Sequence, residues 1–328
     1  MGKHRKDSGR SWTVSVALPG SIVDNAQSVE LRTYLVGQIG RALAVFNADE
    51  VIVYDDCAQL DTAGKPLEGE FRGAGKRSSS EANVFMARLL QYLETPQYLR
   101  RELFPVHKDL QYAGLLNPLD CPHHLRARAV SRWREAVVLD RPIKPGEGSL
   151  VNAGMRHEVR IDRALKPGVR VTVELSKATR GKLADPFSAN PKGIVVSPKV
   201  PRKTAGIYWG YRTRIAGSIG KVFSECPYDG GYDCTIGTSE RGRNIDEVTA
   251  ELPAFRHLLV VFGGLAGIET AVDADQQMTC PGEDAGSLFT YWVNTCPRQG
   301  SRTIRTEEAI LITMSALRPA ILAKGQSS

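Results

Sequence analysis

The segment that most limits what this chain can fold into is Leu258-Leu-Val-Val-Phe262, an apolar run that ends in Gly263-Gly264 and meets a third glycine at Gly267. Consecutive apolar residues bounded by glycines describe a buried strand that turns sharply, here into a short helix. Glycine at such a turn lets backbone amides approach a ligand that a Cβ would exclude, and it serves equally in a tight turn that binds nothing. Both readings stand on this segment alone. The spacing is GGxxG, not the GxGxxG of a dinucleotide-binding fold, and it comes late in the chain. Both features argue against a Rossmann domain.

A second segment follows, Tyr291-Trp-Val-Asn-Thr-Cys-Pro-Arg-Gln-Gly-Ser-Arg-Thr-Ile-Arg-Thr-Glu-Glu-Ala309. A strand ends near Val293, and about a dozen polar and turn-forming residues precede a helix, more than an ordinary connection needs. Thr306 is suited to cap that helix, with Glu307 and Glu308 at the positive end of its dipole. Ile310, Met314, Leu317 and Ile321 then form one apolar face. The polar loop supplies backbone donors, amides and hydroxyls that suit an adenosine or a ribose. Gly300 as a simple turn, and Glu307 and Glu308 as helix stabilisers, are the structural alternatives.

The rest of the chain places these segments in an α/β frame. Trp12–Leu18 alternates as a strand does and stops at Pro19-Gly20. Asp24 with Gln27 resembles a capping box, and Val36, Ile39, Leu43 and Phe46 recur at helical spacing. Val51–Tyr54 is a buried-type strand ending in Asp55-Asp56, and a helix from about Ser80 to Phe104 breaks before Pro96. From about Leu115 to Tyr211 short alternating runs, such as Ala136–Leu139, Glu158–Ile161 and Arg170–Leu175, indicate a small β barrel or sandwich. Strand and helix alternation then returns through Tyr232–Ile236, Asn244–Leu252, Leu258–Phe262 and Phe289–Val293. An α/β beginning and end around a β middle fits one domain interrupted by another, the flanking parts sharing a mostly parallel sheet.

Charge adds a partner class. Of the 328 residues, 43 are Lys or Arg and 36 are Asp or Glu, a net +7 that favours a polyanionic partner such as RNA. The middle region carries Arg126, Arg128, Arg132, Arg134, Lys177, Arg180 and Lys182, which fit a nucleic-acid groove or a solvated surface. Arg72-Gly-Ala-Gly-Lys-Arg77 is open to the same two readings. The first residues lack the apolar core of a signal peptide and no apolar run is long enough to cross a bilayer, so a location inside the cell is expected. The six cysteines form no CxxC pair and are expected as free thiols. Cys121-Pro-His-His124 gathers three possible ligands without a distant fourth, so a turn is expected there and no metal.

The order of a GG loop after a strand, then Asn294-Thr-Cys-Pro-Arg-Gln-Gly-Ser301, then Arg305-Thr-Glu-Glu-Ala309 entering a last helix, resembles the SPOUT superfamily of RNA methyltransferases. The likeness extends to Tyr232-Asp-Cys-Thr-Ile-Gly-Thr-Ser-Glu-Arg-Gly242 and is closest to the archaeal and eukaryotic branch with an inserted OB-like domain. It implies an α/β fold with a mostly parallel sheet and a C-terminal trefoil knot, interrupted by a small OB-like β barrel. The methyltransferase domain would span residues 11–117 and 213–324, and the insertion residues 118–212. It also implies S-adenosyl-L-methionine as methyl donor, S-adenosyl-L-homocysteine as product, RNA as acceptor and a homodimer acting in the nucleus or cytoplasm. Carried onto this chain, the donor would be held by Gly263, Gly264, Asn294, Thr295, Pro297, Gln299, Gly300, Ser301 and Ile304, with Arg241 at the cofactor or an RNA phosphate. Neither Arg241 nor Glu308 is assigned a catalytic role. The competing class is an inactive RNA-binding or scaffold protein that keeps the same fold.

Overall fold

The computed structural model describes residues 9–57, 79–181 and 190–326. The basic segment Arg72–Arg77 and Lys182 lie outside the described residues. In chain order the strands are β1 (Thr13–Pro19), β2 (Glu50–Tyr54), β3 (Trp133–Val138), β4 (Leu150–Asn152), β5 (Val159–Arg160) and β6 (Arg170–Leu175). They continue with β7 (Gly193–Val196), β8 (Arg212–Ala216), β9 (Cys234–Asn244), β10 (His257–Val261) and β11 (Tyr291–Asn294). The chain divides into two compact units, one built mainly from Glu94–Lys108 and Asp120–Gly210, the other from Ser11–Leu93, Asp109–Leu119 and Tyr211 onward.

The second of these units is α/β. Its sheet runs β11-β9-β10-β1-β2-β8, and every pairing is parallel. Strands β1 and β2 are buried along their whole length, as a parallel sheet covered on both faces requires. One face packs Ala17, Ile52, Tyr54, Leu259 and Val261 against Ile219, Val222, Ile268, Ala271 and Val272 from the helices Ile219–Ser224 and Gly267–Ala274. The helices Val29–Val45 and Thr306–Lys324 pack on one another, and Ile310, Met314, Leu317 and Ile321 are buried as their spacing requires. From β1 the chain moves outward to β2 and β8, then crosses to β9, returns to β10 beside β1 and leaves for β11. The carboxyl ends of β1 and β10 therefore sit where connections depart in opposite directions, the usual position of a ligand crevice in an open α/β sheet.

The other unit carries an antiparallel sheet of order β5-β4-β3-β6-β7. It curls enough for its edges to meet, with Arg160 of β5 bridging to Lys192 just before β7. Inside the curl lie Ala136, Val138, Val151, Val159, Ile161, Val171, Val173 and Leu175. A buried polar network crosses β3 and β6. Arg170 donates to Glu94 at 2.7 Å and to Glu135 at 2.6 Å, and Glu135 also accepts from Thr172 and Trp209.

Several expectations need correction. The helix Val29–Val45 is capped by Ser28, whose hydroxyl accepts from the Leu31 amide, while Asp24 pairs with Arg32 at 3.3 Å. Asp24 sits in a 3-10 turn over Gly20–Asn25, so the Asp24–Gln27 box does not form. Arg134, grouped with the basic surface, is fully buried and donates to the carbonyls of Ala153, Arg126 and Ala129. Strand β8, unforeseen, pairs with β2 and completes the parallel sheet. Among the described residues, no helix is long and apolar enough to cross a membrane. All six cysteines are free thiols.

Candidate functional site

Three chain segments leave the carboxyl edge of the parallel sheet on the β9, β10 and β11 side, and hydrogen bonds tie them together. The first is the glycine turn after β10. A Cβ on Gly263 would lie 2.6 Å from backbone atoms of Gly267 and Ile268, so no larger residue fits without moving the main chain. Gly267 has φ +83°, a conformation that glycine adopts without strain, and its amide closes the turn on the Gly264 carbonyl at 3.1 Å. The helix Gly267–Ala274 then begins.

The second segment is the polar stretch after β11. Both ends of the Asn294 carboxamide are engaged within the protein: its Nδ2 donates to the Glu240 carbonyl at 2.9 Å, and its Oδ1 accepts from the Cys296 amide at 3.1 Å. Thr295, Gln299 and Ile304 are half-buried, while Pro297, Gly300 and Ser301 are exposed. Arg298 takes φ +60°, and the Ser301 hydroxyl accepts from the Thr303 amide at 3.4 Å. The cap of the final helix is Arg305, not Thr306. Glu308 accepts from the Arg305 amide at 3.0 Å, which leaves the Thr306 hydroxyl free to donate to the Gly263 carbonyl at 3.2 Å.

The third segment is a bulge in β9. Gly237 pairs with Trp292, but the next pair is Arg243 with Val293, so residues 238–242 project beyond the ladder. Gly242 permits this close return, since a Cβ there would lie 2.3 Å from the Val293 carbonyl carbon. Ser239 in the bulge reaches Glu269 in the helix after the glycine turn at 3.4 Å. Arg243 is held by Glu251 through two hydrogen bonds of 2.8 and 2.9 Å. Arg241 is exposed at the tip, and its guanidinium makes no hydrogen bond among the described residues. The three segments thus join at 263–306, 240–294 and 239–269, bringing together the stretches that contain every sequence-predicted site residue.

A family model described as "Putative RNA methyltransferase" matches residues 13–317. The chain belongs to this family. It is 56% identical over 321 residues to the 28S rRNA (uridine-N(3))-methyltransferase of Mus musculus, covering 98% of this chain and 80% of that protein. The Homo sapiens enzyme of the same name is 54% identical, with 98% and 82% covered, and that of Drosophila melanogaster 47% identical, with 95% and 63% covered. The protein is thus an enzyme of the RNA methyltransferase family, and methyl transfer needs a donor.

For an RNA methyltransferase the neighbouring acidic groups acquire weight, and sequence reasoning passed over them. Asp56 follows β2, and its Oδ2 accepts from Ser21 at 2.5 Å at the end of β1. A Cβ on Gly264 would lie 3.2 Å from that same oxygen, which places the carboxylate against the glycine turn. Burial raises the proton affinity of Asp56, and the nearby Asp55 and Asp24 raise it further, against the lowering effect of Ser21. Below it, burial and the charges of Asp56 and Glu269 push the Tyr54 phenol well up, and its hydroxyl donates to the Phe262 carbonyl at 2.7 Å. The available signal was the position of Asp55-Asp56 directly after a buried strand, which puts such residues at the ligand-binding edge of an α/β sheet.

The Cys121-Pro-His-His124 group is also resolved. Its possible ligand atoms lie within 4.8 Å of one another. His123 Nε2 sits 2.9 Å from both the carbonyl and Oε1 of Glu94, and His124 Nε2 lies 2.7 Å from the same carbonyl. Hydrogen bonding around Glu94 accounts for the placement of both rings.

Proposed function

We propose that the protein transfers a methyl group from S-adenosyl-L-methionine to N3 of a uridine in large-subunit ribosomal RNA. The acceptor is inferred from the printed activity of the mouse, human and fly relatives. The observation that carries the donor site is the linkage of the glycine turn to the polar stretch through Thr306 and Gly263. The residues suit the group. Gly264 and Gly300 offer backbone without a side chain, and a Cβ on Gly300 would meet nothing within 4 Å. Ser301, Gln299 and Thr295 add polar groups for the ribose and adenine, and Ile304 an apolar contact.

When bound, the donor supplies an activated methyl on a sulfonium. This chain's residues orient it, exclude water and position the acceptor, which is most of what an in-line displacement asks of a protein. Asn294 shapes the polar stretch from within, because its own amide is already engaged. Arg241, exposed and with a guanidinium that makes no hydrogen bond among the described residues, is the group for an RNA phosphate.

The same reading takes residues 11–117 and 213–324 as a SPOUT methyltransferase domain, with its C-terminal part knotted. Residues 118–212, which hold the curled antiparallel sheet, are then an OB-like insertion. It further takes the enzyme as a homodimer acting in the nucleus or cytoplasm, where ribosomal RNA is found. Methyl transfer tests the activity directly: labelled donor, enzyme and ribosomal RNA, followed by nucleoside separation. 3-Methyluridine is the expected product; a protein that binds RNA but transfers no methyl group supports the scaffold class instead.

A further inference from the structure

We infer that Asp56 is the catalytic base of the reaction, accepting the proton from the uracil ring nitrogen that receives the methyl group. This rests on the functional reading above, with an imide N–H as acceptor and a sulfonium donor at the glycine turn.

The inference comes from comparing two carboxylates at opposite ends of β2. Glu50, at the amino end, is buried and fully satisfied: Oε2 accepts from Ser15 and Tyr232, both at 2.8 Å, and Oε1 from Arg214 at 3.1 Å. It is a structural anion. Asp56, past the carboxyl end, is satisfied on one side only. Its Oδ2 accepts from Ser21, while Oδ1 is buried and has no hydrogen-bond partner among the described residues. A buried carboxylate oxygen left this way is costly, and such atoms in folded proteins point to a bound group or a chemical task. Among the described residues no cation offsets it in the way Arg214 offsets Glu50: the charged neighbours acting on it, Asp55 and Asp24, are acidic. Asp24 is itself turned to Arg32. Cys57 follows in sequence and the Tyr54 phenol lies beneath, with Glu269 beyond it.

Location matches the chemistry. The carboxylate lies against Gly264 and Ser21, at the carboxyl ends of β10 and β1, where the strand order reverses. A raised proton affinity also suits a base that must take a proton from a weakly acidic ring nitrogen near neutral pH. In the step, the N3 proton passes to the Asp56 carboxylate as the N3 electron pair forms the bond to the methyl carbon. The carbon–sulfur bond breaks with its electron pair retained by sulfur, so the sulfonium becomes a neutral thioether. The Asp56 carboxylic acid then returns its proton to water. The Ser21 hydroxyl fixes the orientation of the carboxylate throughout.

Asp56→Asn, compared with the full-length wild-type enzyme, tests the assignment. Single-turnover methyl transfer to ribosomal RNA is expected to fall by about 100-fold or more. The calorimetric affinity for S-adenosyl-L-methionine should be unchanged, and the acidic limb of the pH–rate profile should disappear. A second readout needs no turnover: in donor-free wild-type protein the carboxyl carbon resonance of Asp56, identified by its absence in the variant, should titrate above the ordinary aspartate value. A variant with near wild-type rate and an intact acidic limb overturns the assignment. So does one that loses donor affinity, because Asp56 would then serve binding and not proton transfer. A wild-type enzyme that neither binds the donor nor methylates RNA overturns the functional reading itself, a result distinct from either.

Discussion

The Thr306 hydroxyl donates to the Gly263 carbonyl at 3.2 Å, joining the first residue of the last helix to the turn after β10. The two residues lie 43 positions apart in the chain, so the bond fixes the distance between two loops that must act on one ligand. Thr306→Val keeps the shape of the side chain and removes the donor. It is expected to cost about 1 kcal/mol in stability and to weaken binding of S-adenosyl-L-homocysteine. Thermal melting and calorimetric titration check the two effects.

Glycines in this site differ in what they tolerate. A Cβ on Gly263 meets backbone at 2.6 Å, which cannot swing aside, whereas one on Gly300 meets nothing within 4 Å. Gly263→Ala should therefore lower stability by roughly 1–3 kcal/mol, with the turn displaced and donor affinity lost. Gly300→Ala should melt with the wild type. Equal melting of the two variants would contradict the close packing of the turn.

The polar core of the curled unit depends on one guanidinium. Arg170 stands between Glu94 and Glu135 at 2.7 and 2.6 Å, and both carboxylates are nearly inaccessible. Arg170→Leu leaves two buried carboxylates without the guanidinium they share, and a loss of about 3–5 kcal/mol is expected. Urea unfolding of the variant measures it.

That network also sets an acid sensitivity. Burial, then the neighbouring His123, lowers the His124 pKa from 6.5 to about 4. The unfolded chain consequently binds a proton at His124 before the folded protein does. Its contribution is complete above pH 6.5 and is lost as the pH falls toward 4. Burial would raise Glu94, but Arg170 and His123 outweigh it and hold its carboxyl well below the usual range, so its contribution persists until stronger acid. His124→Gln should flatten the fall in the urea midpoint between these limits, and an unchanged slope would show that the group carries no such linkage.

Much of this is legible in the sequence alone. The apolar strand into Gly263-Gly264, the polar stretch from Asn294 and the final helix from Thr306 were marked by periodicity and glycine placement, signals that act over a few residues. What escaped notice depended on distant partners. Strand β8 has an exposed and charged face, Arg212-Thr-Arg-Ile-Ala216, and becomes a strand because β2 offers it a free edge. The capping assignment at Thr306 failed because its hydroxyl is drawn to Gly263, far away in sequence. Arg134 looked like surface charge, and only the fold supplies the carbonyl oxygens that bury it. Asp56 is one of many carboxylates in the sequence, and its unpartnered oxygen appears only once Ser21 and Gly264 are placed beside it.

The most direct test of the account is to ask where the donor sits. Ultraviolet cross-linking of methyl-labelled S-adenosyl-L-methionine to the enzyme, followed by tryptic mapping, answers this without reference to turnover. The account predicts label in the peptide of residues 257–298, which holds both the glycine turn and Asn294, or in the adjoining residues 299–302. Excess S-adenosyl-L-homocysteine should abolish it. Label confined to peptides of the curled antiparallel unit, equally sensitive to that competitor, would contradict the placement of the donor at Gly263, Gly264 and Asn294.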